Sequence, residues 1–187
     1  MKIASVVSGS KEIKMKRLLS LIRENTLSTA KVRVFVFAVF LAILIVLPAL
    51  IHNQWITGSL VNAILLLSAI LIGPMEAVIL GLMPSVVALS TGLLPLPMAP
   101  MIPFIMIGNA LLIVAFCYLR NQNYAFRLGI SALLKFALLH FVVTFAIPEL
   151  LEDGVFAKLF VMMSWPQLIT AVVGGIIIYP IIKTKES

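Results

Sequence analysis

Charge is scarce in this chain. Asp, Glu, Lys and Arg make up 11% of its 187 residues, where a water-soluble domain carries about a quarter. With 62% apolar residues and a mean hydropathy of +1.17, too little polar surface remains to coat a soluble fold, so the composition predicts a chain that dissolves in lipid. Most of the chain lies in apolar runs, which leaves room for one membrane domain and no sizeable soluble one. Cysteine is also nearly absent. The single Cys117 excludes an internal disulfide and a cysteine-based metal cluster. Two histidines, His52 and His140, are too few to make a metal site without partners that the sequence does not advertise. No metal and no other cofactor is therefore expected. There is no P-loop, so the chain is not expected to hydrolyse ATP, and no HExxH. Ser85, Ser164 and His140 are present, but no GxSxG surrounds a serine and Ser85 follows a proline. Enzyme chemistry is not the expectation.

What is there is a series of long apolar runs and an uneven distribution of positive charge. The runs are Val34–Ile51, Ile56–Ile72, about Met75–Leu94 (containing Pro84), about Met101–Leu119, about Leu128–Ile147 and about Val155–Ile182, the last with Trp165-Pro166 inside it. A hydrocarbon core needs roughly 20 helical residues, so each run reads as one crossing. The sixth is long and is expected to kink at Pro166 or to follow a short outer helix. The reading is an all-α integral membrane protein with six transmembrane helices. Its domains are a basic segment at 1–33, a membrane domain at 34–182 and a tail at 183–187.

Charge orients these runs. Eight Lys and Arg precede the first run, Arg120 and Arg127 bracket the loop between the fourth and fifth, and Lys183 and Lys185 follow the sixth. Six crossings bring all three regions to one side. The other side receives HNQ, LLPLPMAP and PELLEDG, which hold no Lys or Arg. The positive-inside rule puts both termini in the cytoplasm. The net charge of +7 then reads as topology and contact with anionic lipid, not as a surface for nucleic acid. KEIKMKRLLSLIREN predicts an amphipathic helix on the membrane surface, with a disordered tail as the alternative. It does not read as a signal peptide, having no apolar run before a small-residue cleavage site.

Polar residues inside the runs are the candidates for function. Asn62 lies roughly 8 Å and Asn109 roughly 12 Å below the outer ends of their helices, and His140 and Thr144 within roughly 5–11 Å of theirs. Trp165 and Gln167 fall at a comparable depth. Such groups must face the bundle interior or a cavity. One reading is a pocket for a small amphipathic solute, with amides and imidazole for directional hydrogen bonds and Trp165 as a stacking face. The other is helix glue, worth about 0.6–2 kcal/mol per bond. Lys135 sits roughly 12 Å in from Arg127 and about 140° around the helix from His140. An intramembrane lysine is a functional candidate by default, but the favoured reading is a structural role, pairing with Glu76 or snorkelling.

The first run holds Ala38-Val39-Phe40-Leu41-Ala42. Two alanines four apart open a shallow groove for a neighbouring helix. This pair, the basic N-terminal segment, the outer polar layer and the QWITGSLVNA and PFIMIGNA segments resemble the substrate-binding S component of energy-coupling factor (ECF) importers, across the layout of the whole chain. The resemblance implies capture of a vitamin or related small organic molecule on the outer side, beneath a capping loop at His52, Asn53, Gln54 and Trp55. It also implies docking through Ala38 and Ala42 onto a membrane coupling subunit driven by two ATPase subunits. The ligand residues of that family vary with substrate, so Asn62, Asn109, His140, Thr144, Trp165 and Gln167 rest on the depth argument alone. A stand-alone permease and a structural membrane subunit without a ligand are the alternatives.

Overall fold

The computed structural model describes residues 30–146 and 153–186. The basic segment expected to lie on the membrane, and most of the PELLEDG connection, fall outside the described residues. By its contacts the chain divides into two units, residues 1–36 and 37–187. Of the first unit only the start of the first helix, from Ala30, is described.

All the described regular structure is helical. In chain order it comprises α1 (Ala30–Leu50), then α2 (Gln54–Leu71), α3 (Pro74–Gly81), α4 (Met83–Ser90), a 3-10 segment (Leu96–Met101), α5 (Ile102–Tyr118), α6 (Tyr124–Phe141), a π turn (Val142–Ala146), α7 (Asp153–Met163) and α8 (Trp165–Glu186). Among the described residues, five helical stretches are long and apolar enough to cross a membrane: Ala30–Leu50, Gln54–Leu71, Leu96–Tyr118, Tyr124–Phe145 and Phe156–Lys183. They fit an all-α, multi-pass membrane protein. The outward faces say the same: Ile43, Ile79, Val114, Phe141, Phe145 and Ile176 all lie exposed, and in water so much apolar area would drive aggregation.

The third run differs from a single crossing helix. It is two eight-residue helices, α3 and α4, meeting at Leu82–Met83. Pro84 has no N–H for the carbonyl four residues back, so the ladder breaks there. The sixth run breaks too, at Ser164, immediately before Trp165-Pro166, and α8 continues past Ile182 to Glu186. Other ends follow local chemistry. Asn53 caps α2 by accepting from the Trp55 and Ile56 amides, Asn123 caps α6 by accepting from the Phe126 amide, and Gly73 turns the chain between α2 and α3 at φ 124°.

The core is built around the α2–α8 pair. A Cβ on Gly58 would meet Thr170, and one on Gly174 would meet Ser59, Ala63 and Asn62. Contacts thus advance in the same direction along both chains, so the two helices run parallel. α5 and α6 run antiparallel, with Gly108 beside Leu139 and Lys135 and Phe116 beside Tyr124 and Arg127. Two apolar clusters fill the bundle. One gathers Ala63, Leu66, Leu112, Phe116, Ala132 and Ala171. The other gathers Leu94, Met98, Met101, Leu139, Val143 and Met163. Along α6, Ala132 belongs to the first and Leu139 to the second, and Lys135 lies between them.

Gly174 is what lets α8 come this close to α2. A Cβ there would stand 2.7 Å from the Ser59 carbonyl oxygen and 2.8 Å from the Ala63 nitrogen, both rigid backbone atoms. Gly174→Ala is therefore expected to destabilise the protein by about 1–3 kcal/mol. Gly129→Ala, in helix α6 with open space around it, is expected to be neutral or to stabilise by up to about 1 kcal/mol. Thermal unfolding of the two variants in the same detergent checks the contrast; equal midpoints would contradict it.

Candidate functional site

Lys135 is 2% exposed and does not snorkel. Its Nζ donates to Asn62 Oδ1 and to Asn109 Oδ1, each at 2.8 Å. The expected pairing with Glu76 thus gives way to two neutral amide oxygens from helices on either side. The amide nitrogens of the asparagines are anchored in turn. Asn109 Nδ2 donates to the Gly81 carbonyl at 2.8 Å, in the turn where Pro84 has broken the helix. Asn62 Nδ2 reaches Thr170 Oγ1 over a longer 3.4 Å, and the Thr170 hydroxyl proton goes to the Pro166 carbonyl at 2.7 Å. Each asparagine therefore presents its oxygen to the lysine because its nitrogen is fixed elsewhere. The network ties α2, α3, α5, α6 and α8 together at one level of the bundle.

Lys135, Asn62 and Asn109 also line a cavity of about 110 Å³. Its apolar wall includes Val61, Leu94, Ile105 and Met163, and Pro48, Pro84 and Ala88 add to it. Gln54 and Gln167 line it as well, and both send their Nε2 to the Met162 carbonyl, at 2.8 and 3.3 Å. The wall draws on the α1–α2, α4–α5 and α7–α8 junctions, so three connections converge on this end of the bundle.

Ser85 also lines the cavity. Buried serines in helices usually return their hydroxyl to a carbonyl one turn back. Ser59, Ser68, Ser131 and Ser164 do so, onto Trp55, Leu65, Arg127 and Phe160. Ser85 does not: its Oγ is buried and has no hydrogen-bond partner. The carbonyl four residues back belongs to Gly81 and already accepts from Asn109.

The residues expected to share one layer divide. Asn62, Asn109 and Gln167 line the cavity, and so does Gln54 of the expected capping loop. Asn53 is occupied as a helix cap, and His52 and Trp55 are exposed. His140, Thr144 and Trp165 are not part of the cavity wall. Trp165 is 65% exposed and stacks on Phe136 at 5.5 Å, and His140 stacks on the same ring at 5.4 Å. The physical reason is angular. Equal depth does not give equal facing, and His140 sits well around α6 from Lys135, which is the residue that faces the asparagines. Thr144 lies in the π turn, its buried Oγ1 without a partner.

His140 Nδ1 does meet Ser164 Oγ, at 3.2 Å. The one hydroxyl proton of Ser164 is given to the Phe160 carbonyl at 2.6 Å, however, so the imidazole must be the donor in this contact. A serine nucleophile needs the reverse polarity. Among the described residues no group of three or more His, Cys, Asp or Glu could hold a metal ion. Ala38 and Ala42 lie exposed on α1, and Ala42 opens a shallow apolar groove with Ile43, Val46, Leu47, Leu50 and Ile51.

Sequence reasoning weighed Ser85 only as a nucleophile, and passed over Gly81, Thr170 and the placement of Lys135. The one signal available was Pro84. A proline in a membrane helix breaks the ladder and leaves backbone carbonyls around the break for side chains of neighbouring helices to meet. No protein-family model, no curated protein and no solved structure matches the chain.

The lysine clamp makes a quantitative expectation. Asn109→Ala leaves a buried ammonium short of an acceptor and should cost about 1–3 kcal/mol of stability. In a Lys135→Met background the same substitution should cost less, with a coupling of about 0.5–3 kcal/mol. Denaturation of the wild type, the two single variants and the double variant measures this. Strict additivity would show that the amide oxygens do not support the lysine.

Proposed function

We propose that this chain is a small-solute-binding component of a membrane transporter, with the Lys135–Asn62–Asn109 cavity as its solute site. The observation that carries the reading is a cavity among apolar helices whose wall holds a buried amine, bonded to two amide oxygens, and a buried hydroxyl that has no protein partner. A purely structural polar network closes on itself, because an unmet polar group in hydrocarbon costs several kcal/mol. This one stays open toward an empty space. The volume of about 110 Å³ suits a compact organic molecule.

In the form favoured here, the chain has six crossings with both termini in the cytoplasm, counting α3 and α4 together as one. The cavity then lies in the outer half of a cell membrane. It acts as an ECF-type S component: it captures the solute from outside and docks through the Ala38–Ala42 face of α1 on a coupling subunit served by two ATPase subunits. Support comes from the charge asymmetry of the sequence, from its resemblance to S components, and from an α1 that leaves both alanines uncovered. The three junctions that meet at the cavity would be the parts that open for entry.

Native mass spectrometry of the protein purified from its host membranes tests the reading. The expected result is a non-covalently bound small molecule that is lost in Ala88→Leu, which fills the cavity, and kept in Ala38→Trp. The Ala38→Trp variant should instead lose the co-purifying coupling and ATPase subunits. A protein that carries no small molecule, with Ala88→Leu identical to the wild type, would contradict the proposal.

A further inference from the structure

The cavity wall is electrostatically one-sided. Among the described residues, Lys135 is the only charged one that lines it, and none of those lining it is acidic. The ammonium is met by two neutral oxygens, which leaves one of its three N–H groups uncommitted. The unpartnered Ser85 hydroxyl lines the same space. A buried cation held only by amide dipoles is incompletely compensated, and an opposite charge brought alongside it in a water-poor site is strongly favoured.

We propose that the cavity takes an amphipathic monocarboxylate, its carboxylate seated on Lys135 Nζ and Ser85 Oγ and its hydrocarbon body against the apolar wall. This rests on the solute-site reading above and adds the chemical class of the solute. Two features favour a carboxylate over a phosphate ester. A monoanion matches the single ammonium, whereas a dianionic phosphate would bring a second uncompensated charge into the bundle. The two donors can each serve one carboxylate oxygen, while a phosphate group needs more donors than the wall supplies. The rest of the lining suits hydrocarbon: Val61, Leu94, Ile105 and Met163 offer no charge to a second polar group. Gln54 and Gln167, whose nitrogens are both held by the Met162 carbonyl, stand where the solute's far end would meet the junctions.

Matched acids and amides test this on the purified full-length protein in lipid nanodiscs: hexanoate with hexanamide, benzoate with benzamide, and nicotinate with nicotinamide. Thermal shift and calorimetry are read at millimolar concentration. At least one acid should bind about tenfold or more tightly than its amide, because a charged hydrogen-bonded partner is worth at least that factor. Ser85→Ala breaks no bond within the protein, so the fold should persist while the affinity for the acid falls about tenfold. Lys135→Gln should abolish the preference for acid over amide. Amides that bind as well as their acids would overturn the carboxylate assignment and leave the solute site standing. So would a co-purified native molecule that lacks an ionised acid group. No binding by any member of the panel, together with no co-purified molecule, would overturn the assignment and the solute-site reading together.

Discussion

A primary amine is buried in the middle of an apolar bundle, and the rest of the structure is arranged around that fact. The desolvation cost of such a group amounts to several kcal/mol even after relaxation. Two charge-assisted hydrogen bonds of 2.8 Å offset part of it. Those bonds form because the asparagine nitrogens are pinned by the Gly81 carbonyl and by Thr170. The Gly81 carbonyl lies at a helix break made by Pro84, and Thr170 reaches Asn62 because Gly174 lets α8 lie directly on α2. One buried charge thus explains a proline, a close-packed glycine and two asparagines that otherwise look like separate irregularities in apolar helices.

The same chain of dependence produces the open side of the site. The Gly81 carbonyl accepts from Asn109, and the Ser85 hydroxyl, which does not return to its own helix, is buried without a partner at a residue that lines the cavity. The unused N–H of Lys135 is available in the same space. Apolar clusters on either side of the polar layer keep it from spreading along the bundle. The outward surface is apolar nearly throughout and suits acyl chains, so the polar chemistry is confined to one level and one end. That confinement makes the cavity the natural place for a solute.

Much of the helical layout was legible in the sequence, because apolar runs in lipid are unambiguous. The second run, read as Ile56–Ile72, is α2 at Gln54–Leu71, and the fourth, read as about Met101–Leu119, is α5 at Ile102–Tyr118. Pro84 and Trp165-Pro166 stood out in the sequence, and both mark breaks. Reading the third run as one continuous helix failed because a single missing N–H can divide a helix that composition alone makes uniform. The two asparagines were visible as polar intruders. Their partner was not, because depth along each helix can be read from sequence whereas rotation between helices is set by packing. His140 and Lys135 are on different faces of α6, as the wheel indicates, but only the α5–α6 and α2–α8 contacts decide which face the asparagines meet. Ser85 carried no sequence signal, since its missing partner is a property of the whole network.

The central claim is that Lys135 and Ser85 form the seat of a solute inside the bundle. A high-resolution structure of the protein taken directly from its host membranes tests this most directly. The account predicts compact density within the cavity, in hydrogen-bond contact with Lys135 Nζ and Ser85 Oγ, while the Asn62 and Asn109 oxygens keep their places on the lysine. A cavity collapsed or filled by protein side chains, with Ser85 bonded back to its own helix, would contradict it.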